Sequence, residues 1–150
     1  MPQGSTLQDV ARELRLPDEF VVARMNNEVF GLQTELSQDC TVEFLDTTSV
    51  EGMRAYRAGL VFLFVKAAYE VLPGATIFIK HSIANGIYGE IAWAHPVIEK
   101  DIQAVYGRML ELVKEDLPFE LLHLSVTELR EKYRAQGLQD KLRLLEHYAD

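Results

Sequence analysis

An α+β fold, with helices packed on small antiparallel sheets, is what this 150-residue sequence predicts. Three observations carry it. Short alternating runs read as strands, one long apolar stretch lies between a polar junction and a Pro-Gly stop, and later segments show helical apolar spacing. Thr6 followed by Asp9, with Leu7, Val10, Ala11 and Leu14 on one face, predicts a short capped helix ended by Pro17. Phe20 to Met25 reads as a strand. Asn26-Asn27 supplies turn residues that tolerate positive φ, and Glu28-Val29-Phe30 returns as the partner. Cys40 to Leu45 alternates and predicts another strand.

Asp46-Thr47-Thr48-Ser49 is a polar junction, so the chain is divided there into 1–47 and 48–150. A long helix is expected from about Glu51 to Val71, stopped by Pro73-Gly74. Being apolar around much of its circumference, it reads as a buried central helix, with Phe62, Phe64 and Tyr69 in the core. Thr76 to Lys80 and Ile87 to Ala94 are expected strands flanking a turn. Ile102, Val105, Tyr106, Met109, Leu112 and Val113 follow amphipathic spacing. Phe119 to Leu124 reads as a further strand. Ser125 with Glu128 predicts a capped helix closing at Gly137, and a last helix starts near Gln139.

The charge is uneven. Residues 1–50 carry 3 basic and 9 acidic side chains, residues 51–100 carry 5 and 4, and residues 101–150 carry 7 and 10, for a net −8. An acidic chain without a Lys/Arg stripe disfavours RNA or DNA as an unaided partner, because phosphate neutralisation supplies most of that affinity. The near-neutral middle repels an anionic ligand least. Cys40 is the single cysteine, which excludes an internal disulfide and a Cys-based zinc site. The scattered histidines show no metal-binding spacing, so no metal is expected. The most apolar run, Gly59 to Val65, is too short to span a bilayer, and no charged-then-apolar leader opens the chain. A cytoplasmic location with no membrane partner is the expectation.

The segment from Ile79 to Ile91 crowds His81, Ser82, Asn85, Gly86, Tyr88 and Glu90 around one turn. His81 reads either as a general base or phosphate binder, or as a turn histidine bonded to backbone. Ser82 has no nucleophile-elbow context and fits a turn or cap role. Asn85-Gly86 is a hairpin turn whose backbone N–H groups can also meet an anion. Tyr88 and Glu90 share one strand face, giving with His81 a small ligand-binding corner or simply a polar sheet face. Arg54 and Arg57 either meet phosphate or pair on the surface with Glu51 and Asp46. No catalytic constellation is assembled from these residues.

Gly4-Ser5-Thr6-Leu7-Gln8-Asp9-Val10-Ala11 and Ala23-Arg24-Met25-Asn26-Asn27-Glu28 resemble the latter part of a TGS domain. That is the ubiquitin-like β-grasp module of threonyl-tRNA synthetases and stringent-response enzymes. The β-grasp's opening hairpin is expected to be missing or reduced, leaving a sheet edge open to pairing. Residues 51–145 resemble the second additional, editing-type domain of threonyl- and alanyl-tRNA synthetases. The stretches that carry this are Glu51-Gly52-Met53, Arg57, Leu72-Pro73, Asn85-Gly86-Ile87-Tyr88, Arg108-Met109 and Gln136-Gly137 to Lys141. Tyr56-Arg57 and His81-Ser82…Gly86-Ile87-Tyr88…Glu90 also resemble a bacterial group that sets both domains ahead of a uridine kinase-type P-loop kinase.

That second resemblance implies a non-catalytic N-terminal regulatory or ligand-sensing module of a nucleoside kinase. Its partner is a P-loop kinase domain in cis beyond residue 150, where ATP and magnesium would bind, and its own ligand is a nucleotide or nucleoside. The alternative is a degenerate threonyl-tRNA synthetase-type editing domain that binds a nucleotide or an aminoacyl-tRNA end. The editing family carries a His-x-x-x-His pair early in the long helix, and the resemblance sets Ala58 and Phe62 on those positions. Its later Cys-x-x-x-His falls beyond Asp150. Tyr88 and Lys141 match positions of the family's editing pocket and stand as remnants of it. No Gly-x-x-x-x-Gly-Lys-Ser/Thr occurs in these 150 residues.

Overall fold

Helix α1 (Leu7–Glu13) begins at a reciprocal capping box: Asp9 N–H donates to the Thr6 hydroxyl oxygen, and the Asp9 carboxylate accepts from Thr6 N–H. Its last residue lies four positions before Pro17. Arg15 turns into the left-handed region (φ 54°), and Leu16 N–H reaches the Ala11 carbonyl, the six-to-one bond of a Schellman end. This computed structural model describes residues 4–83, 86–120 and 122–148. They fall into two compact units, Met1–Glu115 and Asp116–Asp150.

In the first unit, strands β1 (Phe20–Met25), β2 (Glu28–Gly31) and β3 (Val42–Asp46) form an antiparallel sheet in the order β2-β1-β3. Asn26 and Asn27, both at positive φ, make the two-residue turn between β1 and β2. Asn26 Oδ1 also accepts Thr41 N–H at 3.2 Å, tying the turn to the approach of β3. A helix followed by three strands in this order is the helix-and-sheet core of a β-grasp. Among the described residues β2 and β3 are the edge strands of this sheet.

Helix α2 (Val50–Val71) starts four residues after β3 ends, and the junction is tight. Ser49 caps it, accepting Gly52 N–H at 3.0 Å and donating to the Asp46 carbonyl at 2.7 Å. Asp46 Oδ1 accepts from both the amide and the hydroxyl of Thr48, which holds its carboxyl below the ordinary range. Gly52 is buried there. A Cβ on it would lie 1.8 Å from the Asp46 carbonyl oxygen, so only glycine lets the helix end come this close. Arg24 on β1 then bridges Glu43 on β3 and Glu51 in the first turn of α2. Together these lock the helix to the sheet.

Beyond Pro73-Gly74, strands β4 (Thr76–Ile83) and β5 (Gly86–Ala92) pair antiparallel as a two-stranded sheet. Helix α3 (Glu99–Glu115) returns along α2. The core lies where these meet: Ala67, Ala68, Leu72, Ala75, Val105 and Leu112 are buried, with Phe64, Ile77, Ile91 and Met109 packed on them. The paired alanines of α2 admit close approach. Trp93 Nε1–H donates to the Pro73 carbonyl at 3.0 Å and seals the end of the hairpin. Arg108 on α3 bonds Glu70 on α2 as well as Glu111 and Glu115, which pushes its pKa up.

The second unit is small and helical. Helix α4 (Val126–Ala135) opens at the Ser125–Glu128 capping box and closes through Gly137 (φ 70°). Helix α5 (Gln139–Leu144) follows, then a single 3-10 turn at Leu145–His147, whose Leu145 carbonyl accepts from Arg130.

Three expectations need correction. Phe62 and Tyr69 are not core: they are 61% and 40% exposed, while Phe64 is half-buried. Residues 58, 62 and 69 share one face of α2 by helical spacing, and only the opposite face packs on α3 and the hairpin. The expected strand from Phe119 to Leu124 is not formed by its described residues, which lie exposed without regular structure. Apolar residues alone make no strand where no neighbouring strand supplies a ladder. Gly86 is not in the left-handed region; it opens β5 opposite Ile83.

Gly52→Ala is expected to lower stability by about 3 kcal/mol, because the new methyl meets backbone rather than a movable side chain. Urea unfolding of both proteins measures this, with a shift of less than a third of that size counting against the abutment. The Glu70 tie gives a pH test. Bonds from Lys66 and Arg108 hold the Glu70 carboxyl below its ordinary value of 4.5. A lowered folded pKa contributes stability that is present above the unfolded value and lost as pH falls through the folded one. Glu70→Gln should therefore be less stable than the parent at pH 7, the difference closing below about pH 4. Equal differences at pH 7 and pH 3 would contradict the assignment.

Candidate functional site

The hairpin sorts the polar residues of the Ile79–Ile91 segment onto two faces. Ile77 and Ile79 pair with Ile91 and Gly89, and these side chains face α2. The register then shifts between Ile79 and His81, so Lys80 is the extra residue of a β-bulge. Strict alternation would turn His81 toward the helix. After the bulge His81 lies opposite Tyr88 on the outer face, and Ser82, opposite Ile87, turns inward instead.

On the outer face the His81 and Tyr88 rings lie 5.3 Å apart. Tyr88 donates its hydroxyl to Glu90 at 3.1 Å, and that bond to a carboxylate raises the phenol's pKa. Lys80 Nζ sits 3.5 Å from the other Glu90 oxygen and 5.0 Å from the Phe78 ring centroid. All of these side chains are exposed. The carboxylate is thus doubly engaged, and this face is close to neutral.

The inner face, with α2, builds a groove in two parts. One part is an apolar cleft of about 590 Å³, walled by Leu60 and Phe64 of α2, Ile79, Ile87 and Ile91 of the hairpin, and Met109 of α3. The adjoining part, about 810 Å³, runs over the start of α2 and is polar, with Thr48, Ser49, Arg54, Arg57 and Ser82 in its lining. Met53, Arg57, Val61 and Ile87 border both parts. Among the described residues no carboxylate lines the polar part, although the chain as a whole is acidic. Glu51, one of the two expected partners of the arginines, bonds Arg24, and its own backbone N–H, that bond and the nearby charge of Arg54 hold its pKa down. Among the described residues Arg57, half-buried, has neither an ion pair nor a hydrogen bond. A partnerless guanidinium at the meeting of an apolar and a polar cleft is equipped to hold an anion.

The sequence candidates therefore separate. Arg57 and Ser82 line the groove. Glu90 contributes to its apolar rim while its carboxylate turns to Tyr88 and Lys80. His81 and Tyr88 belong to the outer face, and Gly86 starts β5. Asn85 lies outside the described residues. Lys141 is exposed on α5 of the second unit. The apolar wall was readable in the alternation of Ile77, Ile79, Ile87 and Ile91; the bulge at Lys80 that decides between His81 and Ser82 had no signal in the sequence. Among the described residues no three His, Cys, Asp or Glu side chains cluster as metal ligands, and no helix is long and apolar enough to cross a membrane.

Comparison with known proteins adds to this geometry. The TGS domain family matches residues 1–46. The threonine–tRNA ligase of Rubrobacter xylanophilus is 30% identical over 149 residues, covering 98% of this chain and 23% of the ligase. That of Clostridioides difficile is 29% identical over 142 residues, 93% of this chain and 22% of the ligase. That of Chlorobium phaeovibrioides is 32% identical over 120 residues, 79% and 18% respectively. The chain thus spans about a fifth of the length of these relatives. It carries a TGS domain of ubiquitin-like β-grasp type within an α+β fold, and it is homologous to the N-terminal region of threonine–tRNA ligases.

Proposed function

We propose that this chain, homologous to the front of threonine–tRNA ligases, is an editing-type module that holds a nucleotide or the aminoacylated end of a tRNA in the α2–hairpin groove without hydrolysing it. The observation that carries the reading is what stands on α2. Ala58 lines the polar part of the groove, and it occupies a position where the resemblance sets the first of the family's paired histidines. Phe62, one turn on, occupies the second and is exposed. Neither side chain can take or give a proton, so the groove keeps its walls and its arginines but has no general base on that helix. His81, the nearest imidazole in sequence, turns to the other face of the hairpin.

The chemistry left to the groove is recognition. Arg57 and Arg54 offer charge-assisted hydrogen bonds to a phosphate or carboxylate, and Ser82 and Thr48 offer neutral donors beside them. A kinase-linked parent remains what one part of the sequence resemblance implied; the relatives named above are ligases and favour the editing-type reading over it.

Calorimetry with AMP and a non-hydrolysable 3′-aminoacylamino analogue of it is the test. Arg57→Gln is expected to weaken both about tenfold, roughly the loss of one charge-assisted bond. His81→Ala should leave both affinities unchanged. Loss of binding in His81→Ala with Arg57→Gln unaffected would move the site to the outer face. Rapid deacylation of a mischarged tRNA would overturn the non-catalytic reading.

A further inference from the structure

We infer that the apolar part of the groove selects for an apolar acyl group, so that the preferred ligand is an ester or amide of a large aliphatic or aromatic amino acid whose nucleotide phosphate lies at Arg57 and Arg54. The inference rests on the groove reading above and narrows it to a ligand class. Three features of the structure argue for it together.

The first is size. A cleft of about 590 Å³ lies in the range of sites that enclose a whole drug-sized group, well beyond a side chain of two or three heavy atoms. The second is the wall. Isoleucine, leucine, methionine and phenylalanine line it from three elements, and hydrogen-bonding side chains enter only through Tyr56, Arg57 and Glu90. Tyr56 is half-exposed, Glu90 is engaged by Tyr88 and Lys80, and Arg57 borders the polar part. A small hydroxylated acyl group set into this wall would exchange its hydrogen bonds with water for none. Discrimination in favour of a hydroxyl requires a positioned partner, and the wall offers no fixed one.

The third is charge. The polar part contains two arginines and no carboxylate, and it meets the apolar part at Arg57. An anionic head and an apolar body side by side are therefore matched in the order in which a 3′-aminoacyl nucleotide presents them. A purely apolar partner would leave the arginines without a counter-charge. A nucleotide alone would leave the wall wet.

Binding to the full chain of the 3′-leucylamino and 3′-serylamino analogues of 3′-deoxyadenosine 5′-monophosphate, with AMP as reference, decides the matter. The leucyl analogue is expected to bind at least tenfold more tightly than the seryl one, with a more negative heat-capacity change, the mark of apolar burial. Ile79→Asn should erase that preference, bringing the ratio of the two analogue affinities close to one. Because Ile79 is part of the hairpin that packs on α2, Leu60→Asn on the opposite wall is the second variant, and thermal melts establish that each is folded. Equal affinity for the two analogues overturns the inference and leaves the groove reading intact. Failure of both analogues and of AMP overturns the two together. Concentration-dependent dimerisation in the ultracentrifuge that blocks both analogues would identify a second copy as the occupant of the apolar wall, and it too would overturn the inference.

Discussion

The close approach of Gly52 to the Asp46 carbonyl is the constraint on which the rest of the first unit depends. Strand β3 ends at that carbonyl and α2 starts four residues later, so the direction of a 22-residue helix is set within one turn of chain. Ser49 satisfies Gly52 N–H and bonds the same carbonyl that the missing Cβ would strike. Arg24 then fixes the first turn from the sheet side through Glu51. Helix α2 in turn carries the alanines that admit α3, one wall of the apolar cleft and both arginines of the polar one. A helix leaving the sheet at another angle would carry all of these away together.

The bulge at Lys80 is the second determinant, and it acts on chemistry rather than on stability. One extra residue in β4 exchanges which of two neighbours faces the helix. His81 goes to the solvent face with Tyr88, where Glu90 and Lys80 complete a nearly neutral cluster. Ser82 goes to the groove. The groove thereby gains a hydroxyl and loses an imidazole, and with Ala58 and Phe62 standing on α2 its described lining holds no histidine, whereas anion-binding groups are present on both walls.

Much of the fold was legible because its signals are local. The Thr6–Asp9 and Ser125–Glu128 boxes, the Asn26-Asn27 turn, the Pro73-Gly74 stop and the closure at Gly137 each rest on residues within a few positions of one another. What was not legible depends on distant partners. Phe62 and Tyr69 read as core because α2 is apolar on every side, and only the packing of α3 and the hairpin decides which side is buried. Phe119 to Leu124 reads as a strand, yet its described residues join no ladder. For the site, the crowding of polar residues near His81 drew attention to the hairpin whose inner face walls the groove. The groove itself needed Arg24 to claim Glu51, leaving Arg57 without its expected partner, and that exchange links residues 33 positions apart.

In the proposed reading, ligand binding and proton transfer are assigned to different residues of α2. Arg54 and Arg57 lie one turn apart at the start of α2, and Ala58 and Phe62 lie one turn apart just after. Replacing proton-transfer side chains at the second pair removes chemistry without touching the helix direction, the hairpin or the charge at the first pair. The reverse does not hold: a change at Gly52 or Arg24 moves both pairs at once. In that reading, the absence of histidines at 58 and 62 leaves the groove's walls and arginines in place. The net charge of −8 does not oppose it, since exposed charges beyond about 8–10 Å are screened at physiological salt and the groove's immediate lining is cationic. An anion that reaches the start of α2 meets two guanidinium groups before it meets any free carboxylate of the lining, and what it carries on its other end meets isoleucine.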